Sequence, residues 1–124
     1  MTGMKNLFVS LIFVFMFLST IYGVDIKNVV AYPVPFNPQN STLKIGYPSG
    51  SDFAGERCKV TVFDINGDIV TVINGSPLGE IACKWNGRRS NGEYAKPGLY
   101  LLKVEISDND GGYWKKTLRV LVKY

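Results

Sequence analysis

From Ile26 onward, apolar side chains recur at every second position in short runs, and Gly, Pro, Asn and Asp separate those runs. A period of two sends successive side chains to opposite faces of an extended chain, so each run predicts a strand with one buried face. No stretch here carries a capped apolar period of 3.6, and no helix is predicted in it. The first strand is predicted over residues 29–34. Pro33 and Pro35 cannot donate to a ladder and place it at a sheet edge. In the second, Leu43, Ile45 and Tyr47 alternate with Thr42, Lys44 and Gly46. In the third, Cys58, Val60 and Val62 alternate with Lys59, Thr61 and Phe63. Asn66-Gly67 then predicts a two-residue hairpin turn with positive φ at both central positions.

The fourth strand returns over residues 69–73, and Ile81, Cys83 and Trp85 form the inward face of the fifth. A polar loop over residues 86–98 follows, where Asn86-Gly87 can turn the chain sharply. Tyr100, Leu102, Val104 and Ile106 share one face of the sixth strand. Residues 108–112 turn the chain; Leu118, Val120 and Val122 then line the seventh strand. Seven short strands with turns between them predict an all-β fold, a seven-stranded Ig-like or fibronectin-III-like β-sandwich.

The first 23 residues have a different pattern. Lys5 precedes an apolar run from Leu7 to Leu18, and the segment closes on the small residue Gly23. The apolar run is shorter than the roughly 20 residues of a membrane span, so residues 1–23 are expected to form a helical signal peptide. The mature domain is then 24–124, exported to the periplasm, cell surface or medium, with membrane contact only through the leader before cleavage.

The chain has no histidine, which excludes Ser-His-Asp and Cys-His nucleophile systems and the usual zinc sites. Nor does the spacing of the ten acidic residues suggest a catalytic pair. The expectation is therefore a non-enzyme with no catalytic residue, metal site or cofactor. Net charge is +4, with basic residues spread singly over both faces of the predicted strands. No basic stripe interleaved with aromatics stands out, so nucleic acid is not an expected partner.

The residues Tyr32-Pro33-Val34-Pro35-Phe36-Asn37-Pro38, then Val60-Thr-Val-Phe-Asp64-Ile-Asn-Gly67, then Trp85-Asn86-Gly87, then Pro97-Gly98-Leu-Tyr100 resemble the FlgD-type Ig-like domain. Val34, Phe63, Asn86 and Pro97 depart from the residues usual in that pattern, while its order and spacing survive. The chain is also similar to the C-terminal sorting domains of type IX secretion cargo, which share the Pro-rich start and a basic last strand. The resemblance implies a fibronectin-like sandwich in which these motif residues build the scaffold.

Cys58 and Cys83 both alternate with core residues and should point inward. If the third and fifth strands run parallel in facing sheets, an offset of about four residues separates the two cysteines by about 13 Å. That exceeds the reach of a disulfide. Two buried free thiols are the expectation, and a disulfide is the alternative. As to function, the leading expectation is a structural or interaction domain whose partner is another protein or the secretion machinery, met through sheet edges or loops. A sorting or surface-attachment module without its cargo, and a carbohydrate-binding module, are the alternatives.

Overall fold

The computed structural model describes residues 24–47 and 57–124. The expected signal peptide over residues 1–23 lies outside the described residues. A three-residue 3-10 turn, Ile26–Asn28, precedes seven strands: β1 Val30–Tyr32, β2 Leu43–Gly46, β3 Arg57–Phe63, β4 Ile69–Gly75, β5 Ile81–Trp85, β6 Gly98–Ser107 and β7 Tyr113–Val122. They form two antiparallel sheets, β1-β2-β5 and β4-β3-β6-β7. The predicted all-β sandwich is what the chain adopts.

The alternation seen in the sequence accounts for the core. Leu43, Ile45 and Trp85 from the three-stranded sheet face Val60, Val62, Leu102, Val104, Ile106, Val120 and Val122 from the four-stranded one, all buried. Each such side chain contributes about 1.5–3 kcal/mol of transfer free energy when fully withdrawn from water. β1 stands at a sheet edge as its prolines require, but ends at Tyr32, two residues short of the predicted limit. Beyond it the chain crosses to the other sheet. Phe36 donates its N–H to the carbonyl of Leu121 at 2.8 Å and accepts from Lys123 at 3.0 Å, and so flanks the end of β7.

The β3–β4 turn differs from the expected two-residue form. Only Gly67 has positive φ, +85°; Asn66 does not. Asp64 and Asp68 close the loop around three residues, with Gly67 N–H reaching the carbonyl of Asp64 at 3.1 Å. The Asp64 carboxylate also accepts the N–H groups of Asn66 at 2.9 Å and Asp68 at 3.0 Å. Those side-chain bonds favour a turn in which one residue, the glycine, takes the left-handed conformation.

The expected separation of the cysteines is also corrected. Sγ of Cys83 lies 3.7 Å from the carbonyl oxygen of Cys58. β4 ends at Gly75, level with Cys58, and the connection to Ile81 is short. β5 therefore starts beside the start of β3. Cys83 is the third residue of β5 rather than a residue near its far end, so the four-residue offset vanishes.

Candidate interaction surface

The motif residues of the sequence fall into two groups. Phe36, Trp85 and Tyr100 stack in series, with ring centroids 5.7 Å and 5.8 Å apart, at the base of the loop after β5. The Trp85 indole N–H donates to the carbonyl of Arg88 at 3.0 Å, and the Tyr100 hydroxyl to that of Lys96 at 2.7 Å. Pro38 packs so closely on Gly87 that a Cβ there would stand 2.4 Å from its ring. Asn86 and Asn37 each accept an N–H two residues on, from Arg88 at 3.0 Å and Gln39 at 2.9 Å, and thereby hold their turns. Pro33 and Pro35 lie in the crossing segment after β1, and Gly98 opens β6. Asp64 and Gly67 stay apart from the ring stack and form the β3–β4 turn.

These contacts give the motif residues scaffolding work. Removing the Tyr100 hydroxyl tests one of them. Burial pushes that hydroxyl's pKa up, and the Tyr100→Phe variant should lose about 1 kcal/mol in urea unfolding while retaining its fold.

The surface with chemistry to offer is the outward face of β4-β3-β6-β7. Strand register aligns Lys59 with Glu105 and Lys115, Thr61 with Lys103 and Thr117, and Phe63 with Leu101 and Arg119. Arg57 sits at the end of the same face. Five cations thus share one sheet face with a single carboxylate, Glu105. That carboxylate is already engaged. The Tyr113 hydroxyl donates to it at 2.7 Å and holds its pKa below the usual carboxylate range, with Lys103 at 3.3 Å adding to the effect. Among the described residues no ion pair holds Lys59, Lys115 or Arg119.

The sequence pattern places basic residues on both strand faces. Lys116 does point inward, where its ammonium donates to the carbonyls of Lys27 at 2.7 Å and Val29 at 2.9 Å. Arg57, Lys59, Lys103, Lys115 and Arg119 lie on the outward face because β3, β6 and β7 pair with these positions in phase, while Lys44 and Lys84 belong to the other sheet. Next to this basic zone the face turns apolar, with Ile69 59%, Val72 43%, Leu99 43% and Leu121 42% exposed.

The sheet edges, expected to carry contacts, are partly covered. Ser90 from the loop after β5 donates its N–H and hydroxyl to the carbonyl of Val70 in β4, both at 3.1 Å, and Phe36 flanks β7. Such covering blocks strand addition at those positions. Tyr94, Tyr113 and Trp114 do not form a common patch: Tyr94 packs on Tyr124 and under Arg88, whereas Tyr113 bonds Glu105 and Trp114 packs on the core. In the turn over residues 108–112, the Asp108 carboxylate accepts the N–H groups of Asp110 at 3.0 Å and Gly112 at 2.7 Å.

A family model described as the FlgD Ig-like domain matches residues 39–110. The chain belongs to the FlgD Ig-like domain family. The matched span contains Asp64, Gly67, Trp85, Asn86, Gly87, Gly98 and Tyr100, whereas Pro33 to Pro38 and β7 fall outside it. Among solved structures the chain is similar to dimeric latent PorU from Porphyromonas gingivalis, at 21% identity and a TM-score of 0.48. That likeness covers 77% of this chain and 9% of PorU. It is also similar to CopC from Methylosinus trichosporium OB3b, at 16% identity and a TM-score of 0.46, over 77% of this chain and 80% of CopC. No curated protein matches.

Proposed function

We propose that this FlgD Ig-like domain is an exported, non-catalytic interaction module that docks an acidic protein surface through the outward face of β4-β3-β6-β7. The observation that carries this reading is the phase of that face: Arg57, Lys59, Lys103, Lys115 and Arg119 against Glu105 alone. Charge complementarity of this kind steers association and selects partners. The exposed Ile69, Val72, Leu99 and Leu121 beside the cations supply the apolar area that protein interfaces use. A polyanion bound through its charges alone would leave that area idle. Export is supported by the charged start, short apolar run and small terminal residue of the first 23 positions.

The direct test is binding of a fluorescent polyglutamate peptide, followed by anisotropy at low and at physiological salt. The Lys59→Glu, Lys103→Glu, Lys115→Glu triple variant should bind at least about tenfold more weakly. A Lys44→Glu, Lys84→Glu variant, altered on the other sheet, should bind nearly as well as the parent. Equal loss in both variants, or tighter binding of single-stranded DNA than of the peptide, would remove the proposal. Fractionation tests its location: a shortened chain outside the cytoplasm is expected, and a full-length chain retained in the cytoplasm would refute export.

A further inference from the structure

Cys58 and Cys83 come from different sheets and bury their side chains in the same place, each only 3% exposed. Cys83 Sγ–H donates toward the carbonyl of Cys58 at 3.7 Å. The space it occupies is left by Gly75, the β4 residue paired with Cys58: a Cβ on Gly75 would stand 2.7 Å from the Cys83 sulfur. Cys83 is thus seated over the Cys58–Gly75 pair, and the chain holds two cysteines in all, so no other pairing competes. Each of the two residues also lines an open cleft. Cys58 lines one of about 450 Å³ with Arg57 and Tyr113, and Cys83 one of about 350 Å³ with Ser76 and Leu78.

We propose that Cys58 and Cys83 form a disulfide that staples the two sheets together once the chain meets a disulfide oxidant, such as oxidised glutathione or an oxidised thiol-disulfide oxidoreductase. One of the two cysteines, as the thiolate, attacks one sulfur of the oxidant; the oxidant's S–S bond breaks, one thiolate leaves, and a mixed disulfide remains. The other cysteine then gives up its proton and attacks the sulfur of the first. The Cys58–Cys83 bond forms, the mixed disulfide breaks, and the oxidant departs as two thiols carrying the two electrons and two protons that the cysteines lost. The two thiols are linked through a hydrogen bond, and burial raises the pKa of Cys58.

The link would close a loop spanning 25 positions and join the start of β3 to the middle of β5. The experiment uses the full chain, purified reduced and then equilibrated with oxidised glutathione. Intact mass should fall by two hydrogens, with no thiol left to titrate in denaturant, and the thermal midpoint should drop by about 10 °C or more when reductant is added. Peptide mapping of the parent protein should recover the residues around Cys58 and Cys83 as one linked fragment. The Cys83→Ala variant should show the same midpoint with and without reductant. Two titratable thiols after oxidation, two glutathione adducts, or a thiol-linked dimer would each overturn the staple.

Discussion

Replacing Trp85 with alanine is expected to remove about 3–5 kcal/mol of unfolding free energy, the range for emptying a buried tryptophan site. Trp85 is 1% exposed and stands between Phe36 and Tyr100, with centroid distances of 5.7 Å and 5.8 Å. Neither ring can follow the lost indole. Phe36 is held through its backbone by Leu121 and Lys123, and Tyr100 through its hydroxyl by Lys96. The cavity therefore stays open, and the carbonyl of Arg88 loses its indole donor as well. Domains of this kind typically have about 5–15 kcal/mol in total, so the variant should unfold at a much lower denaturant concentration. Trp114 remains as a fluorescent reporter, and circular dichroism gives an independent curve. Trp85→Phe, which keeps most of the apolar volume, should recover a large part of the loss. A loss below about 1 kcal/mol in the alanine variant would show that the ring stack is not a unit of the core.

The alternation that marks Trp85 as inward is visible in one strand at a time, which is why the strands and their buried faces were legible. Val60 and Val62, Leu102 and Val104, Val120 and Val122 all lie where a period of two places them. What a single strand does not encode is its register against the next. The basic face arises because Lys59, Lys103 and Lys115 reach the same side across two ladders, and the cysteines meet because a short connection starts β5 level with Cys58. The turn after β3 was missed for a more local reason. Asn66-Gly67 carries the usual signal for a two-residue turn, but the Asp64 carboxylate binds two N–H groups of a wider loop and decides the geometry. The motif residues could be named from the sequence, whereas the candidate binding face could not, since no motif contains it.

Gly46 shows how much an unmarked position can matter, and Gly46→Ala is expected to destabilise as severely as the loss of Trp85, or to prevent folding. A Cβ at this position would lie 2.0 Å from the carbonyl oxygen of Glu80 and 3.0 Å from Cα of Ile81. Both obstacles are backbone, so no rotamer change relieves them. The oxygen cannot retreat without cost either, because it accepts the N–H of Tyr47 at 2.7 Å. Gly46 pairs with Ile81 just past an irregularity in the β2–β5 ladder, where two backbones approach more closely than a regular sheet permits. Adding a methyl group must therefore separate β2 from β5 and break their ladder at the point where Leu43, Ile45, Cys83 and Trp85 enter the core. The control is Gly67→Ala, where φ is +85° but the space is open. That change should cost about 1–2 kcal/mol from backbone conformation alone. If the two variants unfold at the same denaturant concentration, the close approach at Gly46 is not what sets the spacing of the three-stranded sheet.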